Sequence, residues 1–235
     1  MKQNTFDFID YEENKHWWFV ARTNILKAII ESYNDEIENF LDIGCGTGYF
    51  LSKIAPIVEN AYGIEPHEYN NSKFENIISG TIENIPFDNN TFDFVSCFDV
   101  LEHVENPQEA LDGILRVLKP GGFAIITVPA CQFLYGPHDK EHDHYRRFSK
   151  DYFESLVDPR FEIMKSTYFN TFLFPAEAPI RLLERAINQK VTKDSAPSPL
   201  LNKIFFKVFN SEKKWLMNHN FPIGVSYMAV LRKRR

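Results

Sequence analysis

Apolar positions in this chain fall into two alternating kinds of run. Across residues 14–32, Trp17, Val20, Ala21, Ile25, Ala28 and Ile29 recur at three- and four-residue spacing, which predicts a helix. Residues 40–43 form a short continuous apolar run that stops at Gly-Cys-Gly-Thr-Gly, and 49–54 resumes a helical pattern. That order predicts strand, glycine turn and helix. Further short strands are expected at 61–65, 77–79, 92–98 and 123–128, with a helix at 107–118 and a turn at Lys119-Pro120-Gly121-Gly122. A helix at 151–156 and strands near 161–168 and 225–231 complete the pattern. Strands that are apolar throughout are buried on both faces, so the fold class is α/β, with a doubly wound, mostly parallel sheet between helix layers.

The stretch from about 175 to 220 departs from this alternation. It holds two amphipathic helical patterns separated by Asp194-Ser195-Ala196-Pro197-Ser198-Pro199 and is expected to be a helical insertion before the last strand. In its second half Leu200, Leu201, Ile204, Phe205, Val208, Phe209, Trp215 and Leu216 are apolar, while Lys203, Lys207, Lys213 and Lys214 are basic. Such a helix over 200–216 either lies on an anionic membrane or packs its apolar face on the domain or a second copy.

Composition narrows the class. The chain has 235 residues, 44% hydrophobic and 25% charged, which excludes disordered and fibrous proteins. No apolar run approaches the roughly 18 to 20 residues that span a bilayer. The opening MKQNTFDFIDYEEN is polar and acidic, unlike a secretion signal, and Cys45, Cys97 and Cys131 are widely spaced, so a cytoplasmic location is expected, with peripheral membrane contact the variant. Residues 1–174 hold 14 Lys/Arg against 28 Asp/Glu, and residues 175–235 hold 12 against 4. The acidic first part argues against a nucleic-acid partner. The basic last part suits an anionic surface or a phosphorylated molecule, or is simply a solvated face.

Glycines at 44, 46 and 48 directly after a strand permit a tight turn and close approach of a ligand to backbone N–H groups. The dinucleotide spacing would need glycine where Tyr49 stands, which argues against nicotinamide or flavin. Glu65, at the end of the second strand, stands where an acid takes the hydroxyls of a ribose. The stretches LDIGCGTGYF (41–50), GIEP (63–66), ENIPFDNNTFDFVSCFDVLEHV (83–104) and LRVLKPGGFAIITVPA (115–130) together resemble the class I S-adenosylmethionine-dependent methyltransferases. The resemblance implies a seven-stranded sheet with an antiparallel last hairpin. It implies that Asp42, Gly44, Cys45, Gly46 and Gly48 line the methionine part of the cofactor, and that Glu65 holds the ribose. It further implies that Thr81, Ile82 and Glu83 flank the adenine and that Phe98 sits near the sulfonium. Threonine at 81 stands where the family often has an acid for the adenine amino group. On this reading the chain is one methyltransferase domain: an N-terminal helical lid (1–36), a cofactor-binding core (37–174), the helical insertion (175–220), and the last strand with a basic tail (221–235).

Two clusters outside that core suggest where an acceptor binds. In the first, Trp17 and Trp18 cannot share one helix stripe, so one of them caps a pocket or a neighbouring element. His16, Trp17, Trp18 and Arg22 are expected to form an aromatic lid on the substrate, Arg22 for a carboxylate on the cofactor or acceptor; an aromatic patch sealing one side of the domain is the alternative. The second follows the fifth strand, at the rim where open α/β sheets place ligands. Its His138, His142 and His144 are candidate general bases, and Tyr135, Arg146 and Arg147 candidate acceptor contacts, the arginines for phosphate or carboxylate. Asp139 and Asp143 make these metal-ligand types as well, but the mixed charges resemble a salt-linked substrate loop and no metal is expected. His103 is read as structural. The expected activity is methyl transfer to a small-molecule or lipid- or sugar-linked acceptor, on oxygen, yielding S-adenosylhomocysteine; a homodimer is compatible with it. The alternatives are a nucleic-acid methyltransferase and a cofactor-binding module without catalysis.

Overall fold

The computed structural model describes residues 13–33, 36–66, 74–191 and 197–235. The acidic opening through residue 12, and residues 194–196 of the insertion's breaker, lie outside them. In chain order the elements are α1 (Trp17–Tyr33), β1 (Asn39–Ile43), α2 (Tyr49–Ile54), β2 (Asn60–Glu65), β3 (Ile77–Ser79), β4 (Phe92–Phe98), α3 (Pro107–Val117) and β5 (Leu118–Pro129). They continue with α4 (Pro137–Glu141), α5 (Lys150–Leu156), β6 (Phe161–Phe169), α6 (Phe174–Ile187), α7 (Pro199–Leu216) and β7 (Ser226–Lys233). The seven strands form one sheet in the order β3-β2-β1-β4-β5-β7-β6. All pairings are parallel except those of β7, which runs antiparallel to both β5 and β6.

Alternate residues of the central strands feed two hydrophobic layers. Leu41, Ile43, Val95 and Ile126 face the layer covered by α3. Phe40, Phe94 and Ile125 face the layer covered by α1 and α7, where Ala21, Ile25, Leu26, Ile29 and Ile30 are buried. Both layers are needed because each strand is apolar on both sides.

Two elements differ from expectation. Lys119-Pro120-Gly121-Gly122 is not a separate turn but the opening of β5, which pairs with β4 through a register shift between Phe92 and Phe94. Gly121 takes φ +86°, and a Cβ on Gly122 would come within 2.9 Å of the Lys119 carbonyl oxygen, so the glycines make an irregular strand rather than end one. Helices α1 and α7 also form one layer. The Trp17 N–H donates to Asn202 Oδ1 at 2.8 Å, and the Trp17 ring meets Phe205 and Phe209 of α7 edge to face at 5.6 and 5.9 Å.

The apolar face of α7 is wider than its packing surface. Phe209 and Leu216 are fully buried, while Leu200, Leu201, Ile204 and Trp215 stay exposed. On α6, Leu182, Leu183 and Ile187 are exposed as well. No helix among the described residues is long and apolar enough to cross a membrane.

Candidate active site

The glycine loop lies where β1 ends. Gly44, Gly46 and Gly48 have φ of +70°, +55° and +81°, a conformation L side chains rarely adopt. At Gly44 a Cβ would stand 2.4 Å from Val100 Cγ2, so the exit of β4 packs directly on the loop. Glu65 Oε2 accepts the Gly46 N–H at 3.0 Å, tying the end of β2 to the loop. Buried Thr47 donates to Glu13 Oε2 at 2.5 Å, which brings the segment before α1 onto the same loop.

The other cofactor candidates divide by environment. Asp42 is buried and accepts from Ser96 Oγ at 2.5 Å; burial pushes its carboxyl up to about 7 against the pull of that hydrogen bond. The Cys45 thiol is turned onto Gly63, where an added Cβ would lie 2.6 Å from its sulfur, and burial raises its pKa. Thr81 bridges Asn84 in a turn after β3, with Ile82 buried and Glu83 exposed. Phe98 meets Phe50 edge to face at 4.9 Å. A strand-end carboxylate, a backbone cradle that side chains would fill and a nearby aromatic wall suit an adenosine-bearing sulfonium compound.

Side chains of α1 surround the exit of β4. Arg22 stacks between the Trp18 and Phe98 rings at 4.7 and 5.2 Å and pairs with Asp99 at 2.6 Å. Arg22 was expected to meet a ligand carboxylate, and in this structure the carboxylate it meets is Asp99. The two tryptophans do point apart, Trp17 into α7 and Trp18 over Arg22. His16 Nδ1 accepts the Trp18 N–H at 3.2 Å and its ring lies against Trp17 and Phe19.

The histidine segment is organised by Asp139, which is fully buried. Asp139 accepts the Gly136 N–H at 3.0 Å and Arg147 Nε at 2.8 Å, and its Oδ1 is 3.0 Å from His144 Nδ1. Arg147 also donates to the Ala130 carbonyl at 3.2 Å. Its guanidinium is thus spent inside the protein, a correction to its expected grip on a ligand anion. Arg146 differs, donating to the Glu105 carbonyl at 3.0 Å beside Tyr145. Tyr135 donates to the His144 carbonyl at 2.8 Å and lines a cleft of about 520 Å³ with Gln132, Lys140 and Arg185.

The three candidate bases stand in a row of rings: His138–His142 at 4.4 Å, His142–His144 at 5.8 Å, and then His144–His103 at 4.7 Å. Burial and the charge of Arg181 hold His138 well below the usual histidine range. At the other end of the row, burial lowers His103 to about 4. Glu102, in the short turn Leu101–His103 after β4, is 1% exposed, and burial followed by the charge of Asp99 raises its carboxyl well above the ordinary range. Of the three candidates, His144 is the one grouped with Glu102 and His103. Neither of those two was selected from the sequence, although Leu-Glu-His-Val directly follows a buried strand, the position where such sheets place reactive groups.

Residues 41–126 match the family described as methyltransferase domain. The chain therefore carries a methyltransferase domain, and its glycine loop and strand-end acid fit S-adenosylmethionine as cofactor. It is similar to a ubiquinone biosynthesis O-methyltransferase of Rickettsia canadensis, 29% identical over 59% of this chain and 69% of the relative. A relative of the same name from Rickettsia conorii is 28% identical over 59% of this chain but 56% of its own length, so the chain spans little more than half of that protein. Among solved structures, the N-methyltransferase NodS from Bradyrhizobium japonicum in complex with S-adenosyl-L-homocysteine has the same fold, with a TM-score of 0.57 at 13% identity over 96% of this chain and 92% of that one.

Proposed function

We propose that the enzyme methylates a hydroxyl oxygen of a small, amphiphilic acceptor. The observation that carries this reading is the acid–imidazole group formed by buried Glu102 and half-buried His103, just after β4, with half-buried His144. A hydroxyl acceptor has to lose a proton as its oxygen attacks carbon, and this group is where that proton leaves. The new O–C bond forms as the S–C bond of the sulfonium breaks and its electron pair returns to sulfur. When bound, S-adenosylmethionine supplies the methyl group. The chain supplies alignment, through Glu65 and the glycine loop, and exclusion of water, through the Trp18–Arg22 lid. The relatives named for O-methylation in ubiquinone biosynthesis support oxygen as the acceptor atom.

Amphiphilic character is supported by the insertion. Leu200 is 70% exposed, with Leu201 and Ile204 beside it and Lys203 and Lys207 interleaved, a surface complementary to an anionic bilayer. The test is S-adenosylhomocysteine release with a panel of phenols, ortho-diphenols and amines, short-chained and prenylated, with and without phosphatidylglycerol vesicles. Turnover on a hydroxyl compound, raised by a prenyl chain and vesicles, is expected. Transfer confined to amines overturns the reading.

A further inference from the structure

The cleft of about 520 Å³ between the segment after β5 and the C-terminal half of α6 is lined by charge of one sign. Lys140 and Arg185 line it, and no carboxylate does. The acids on the same segments are engaged elsewhere: Asp139 with Arg147, Glu141 with Lys190 at 2.8 Å, and Glu184 with Arg181 at 3.1 Å. The Lys140 ammonium has no hydrogen-bond or ion-pair partner among the described residues. Arg185 spends one N–H on the Phe133 carbonyl at 2.6 Å, which pins its guanidinium to the cleft wall and leaves the rest of the fork to donate. Gln132 Oε1 accepts the Arg147 N–H at 2.8 Å, so the NH₂ side of that amide remains as a donor. The last carbonyls of α6 reach the same edge, but the N–H groups of Asn188 and Gln189 cap them, which blunts the negative pole of that helix end.

We propose that this cleft binds a phosphate ester, with Lys140 and Arg185 as the cationic contacts and Gln132 and Asn188 as neutral donors. Two cations without an acid match a dianion better than the single charge of a carboxylate. A phosphate monoester carries about −1.5 to −2 charges and three acceptor oxygens. The Arg185 fork meets two oxygens side by side, while Lys140 acts as a point charge. The Phe133 ring, 48% exposed, and Tyr135 supply apolar surface for the ring or chain that carries the phosphate. The volume falls in the ordinary range of small-molecule sites, about 300–1,000 Å³, which gives room for an organic phosphate rather than a bare ion. The cleft also abuts the transfer group. Tyr135 donates to the His144 carbonyl at 2.8 Å, so the residue that presents one ring of the acid–imidazole group also closes the cleft. That the phosphate belongs to the methyl acceptor rests on the hydroxyl-acceptor reading above; phosphate binding itself does not. The anion grip expected of Arg147, which is spent on Asp139, falls to Lys140 and Arg185 instead.

The experiment is calorimetric titration of the full chain, its cofactor site filled with S-adenosylhomocysteine, with phenyl phosphate and with benzoate as the single-charge control. One phenyl phosphate per chain is expected, with benzoate about tenfold weaker or more. Lys140→Ala and Arg185→Ala should each weaken phenyl phosphate by about tenfold or more, and Arg185→Glu should abolish its binding. S-adenosylhomocysteine affinity should stay at the wild-type value in all three, which shows that they are folded. No binding above the buffer control, binding unchanged in either alanine variant, or benzoate bound as tightly as phenyl phosphate overturns the site. Vesicles separate two sources of the phosphate. Displacement of phenyl phosphate by phosphatidic acid but not phosphatidylcholine vesicles assigns it to a lipid, displacement by neither assigns it to a soluble ester, and displacement by both overturns the site. Phosphate binding together with methyl transfer confined to amines counts against the hydroxyl reading and for the cleft. Methyl transfer to hydroxyl compounds without phosphate binding counts against the cleft and for the function.

Discussion

Arg22 and Asp99 meet at 2.6 Å across the carboxyl end of β4, and this ion pair fastens α1 over the site. The pair is half-shielded, and Thr127 bridges it, taking a hydrogen bond from Arg22 at 3.3 Å and donating to Asp99 at 3.2 Å. Arg22→Ala should therefore cost about 1–3 kcal/mol, the range for a hydrogen bond between charged groups. The loss should be local: amide hydrogen exchange in residues 17–24 should accelerate more than in β4 or β5. Uniform acceleration would mean that the pair supports the whole fold rather than the lid.

Glu65 has a different task. Its carboxylate accepts the Gly46 N–H and sits at the strand end where a ribose is expected. Glu65→Ala should lower S-adenosylmethionine affinity by about ten- to a hundredfold, the equivalent of one strong charged contact. Calorimetry with the cofactor checks this. Gly44→Ala should act on the same measurement by another route, since its Cβ would meet Val100 Cγ2 at 2.4 Å and its φ of +70° is strained for alanine. Equal affinity in Glu65→Ala and wild type would remove Glu65 from the site.

Asp139 and Arg146 should separate structure from surface. Removing the Asp139 carboxylate strands Arg147, which is 5% exposed, as an uncompensated buried charge. Asp139→Ala is expected to cost about 3–5 kcal/mol. Arg146→Ala, which loses one contact to a backbone carbonyl, should stay within about 0.5 kcal/mol of wild type. Urea midpoints of the two variants give the comparison.

The parallel core was legible because its strands are continuous apolar runs and its cofactor loop combines glycine spacing with a strand-end acid. The site's second half was less so, for particular reasons. Adjacent Arg146 and Arg147 look alike in sequence, yet one projects outward and the other inward onto Asp139. Pro120-Gly121-Gly122 carries the composition of a turn but lies within β5, where pairing with β4 outweighs local preference. Glu102 escaped notice because burial of an acid is decided by tertiary packing. His103 was read as structural because its neighbour His144 is 41 positions away in the chain. The apolar stripe of α7 was visible, but the division between residues that pack on α1 and residues left exposed depends on where α1 lies.

Glu212 offers a pH-dependent prediction. It is fully buried on α7, and its Oε1 accepts the N–H groups of Thr171 and Phe172, both at 2.7 Å, fixing the turn from β6 into α6. Burial raises its carboxyl to about 7 against those hydrogen bonds, and nearby Glu177 adds to the rise. The folded state therefore holds the proton to higher pH than the unfolded chain, whose acid ionises near the ordinary glutamate value of about 4.3. The stabilisation from this group is complete below about pH 4 and is lost as pH climbs through about 7. Glu212→Gln keeps an oxygen for the two backbone donors and cannot ionise. Its melting temperature should match wild type near pH 4 and exceed it near pH 8, with the gap opening between those values. A gap that opens toward acid instead would show that Glu212 is stabilised as the anion, and that the turn into α6 is held by charge.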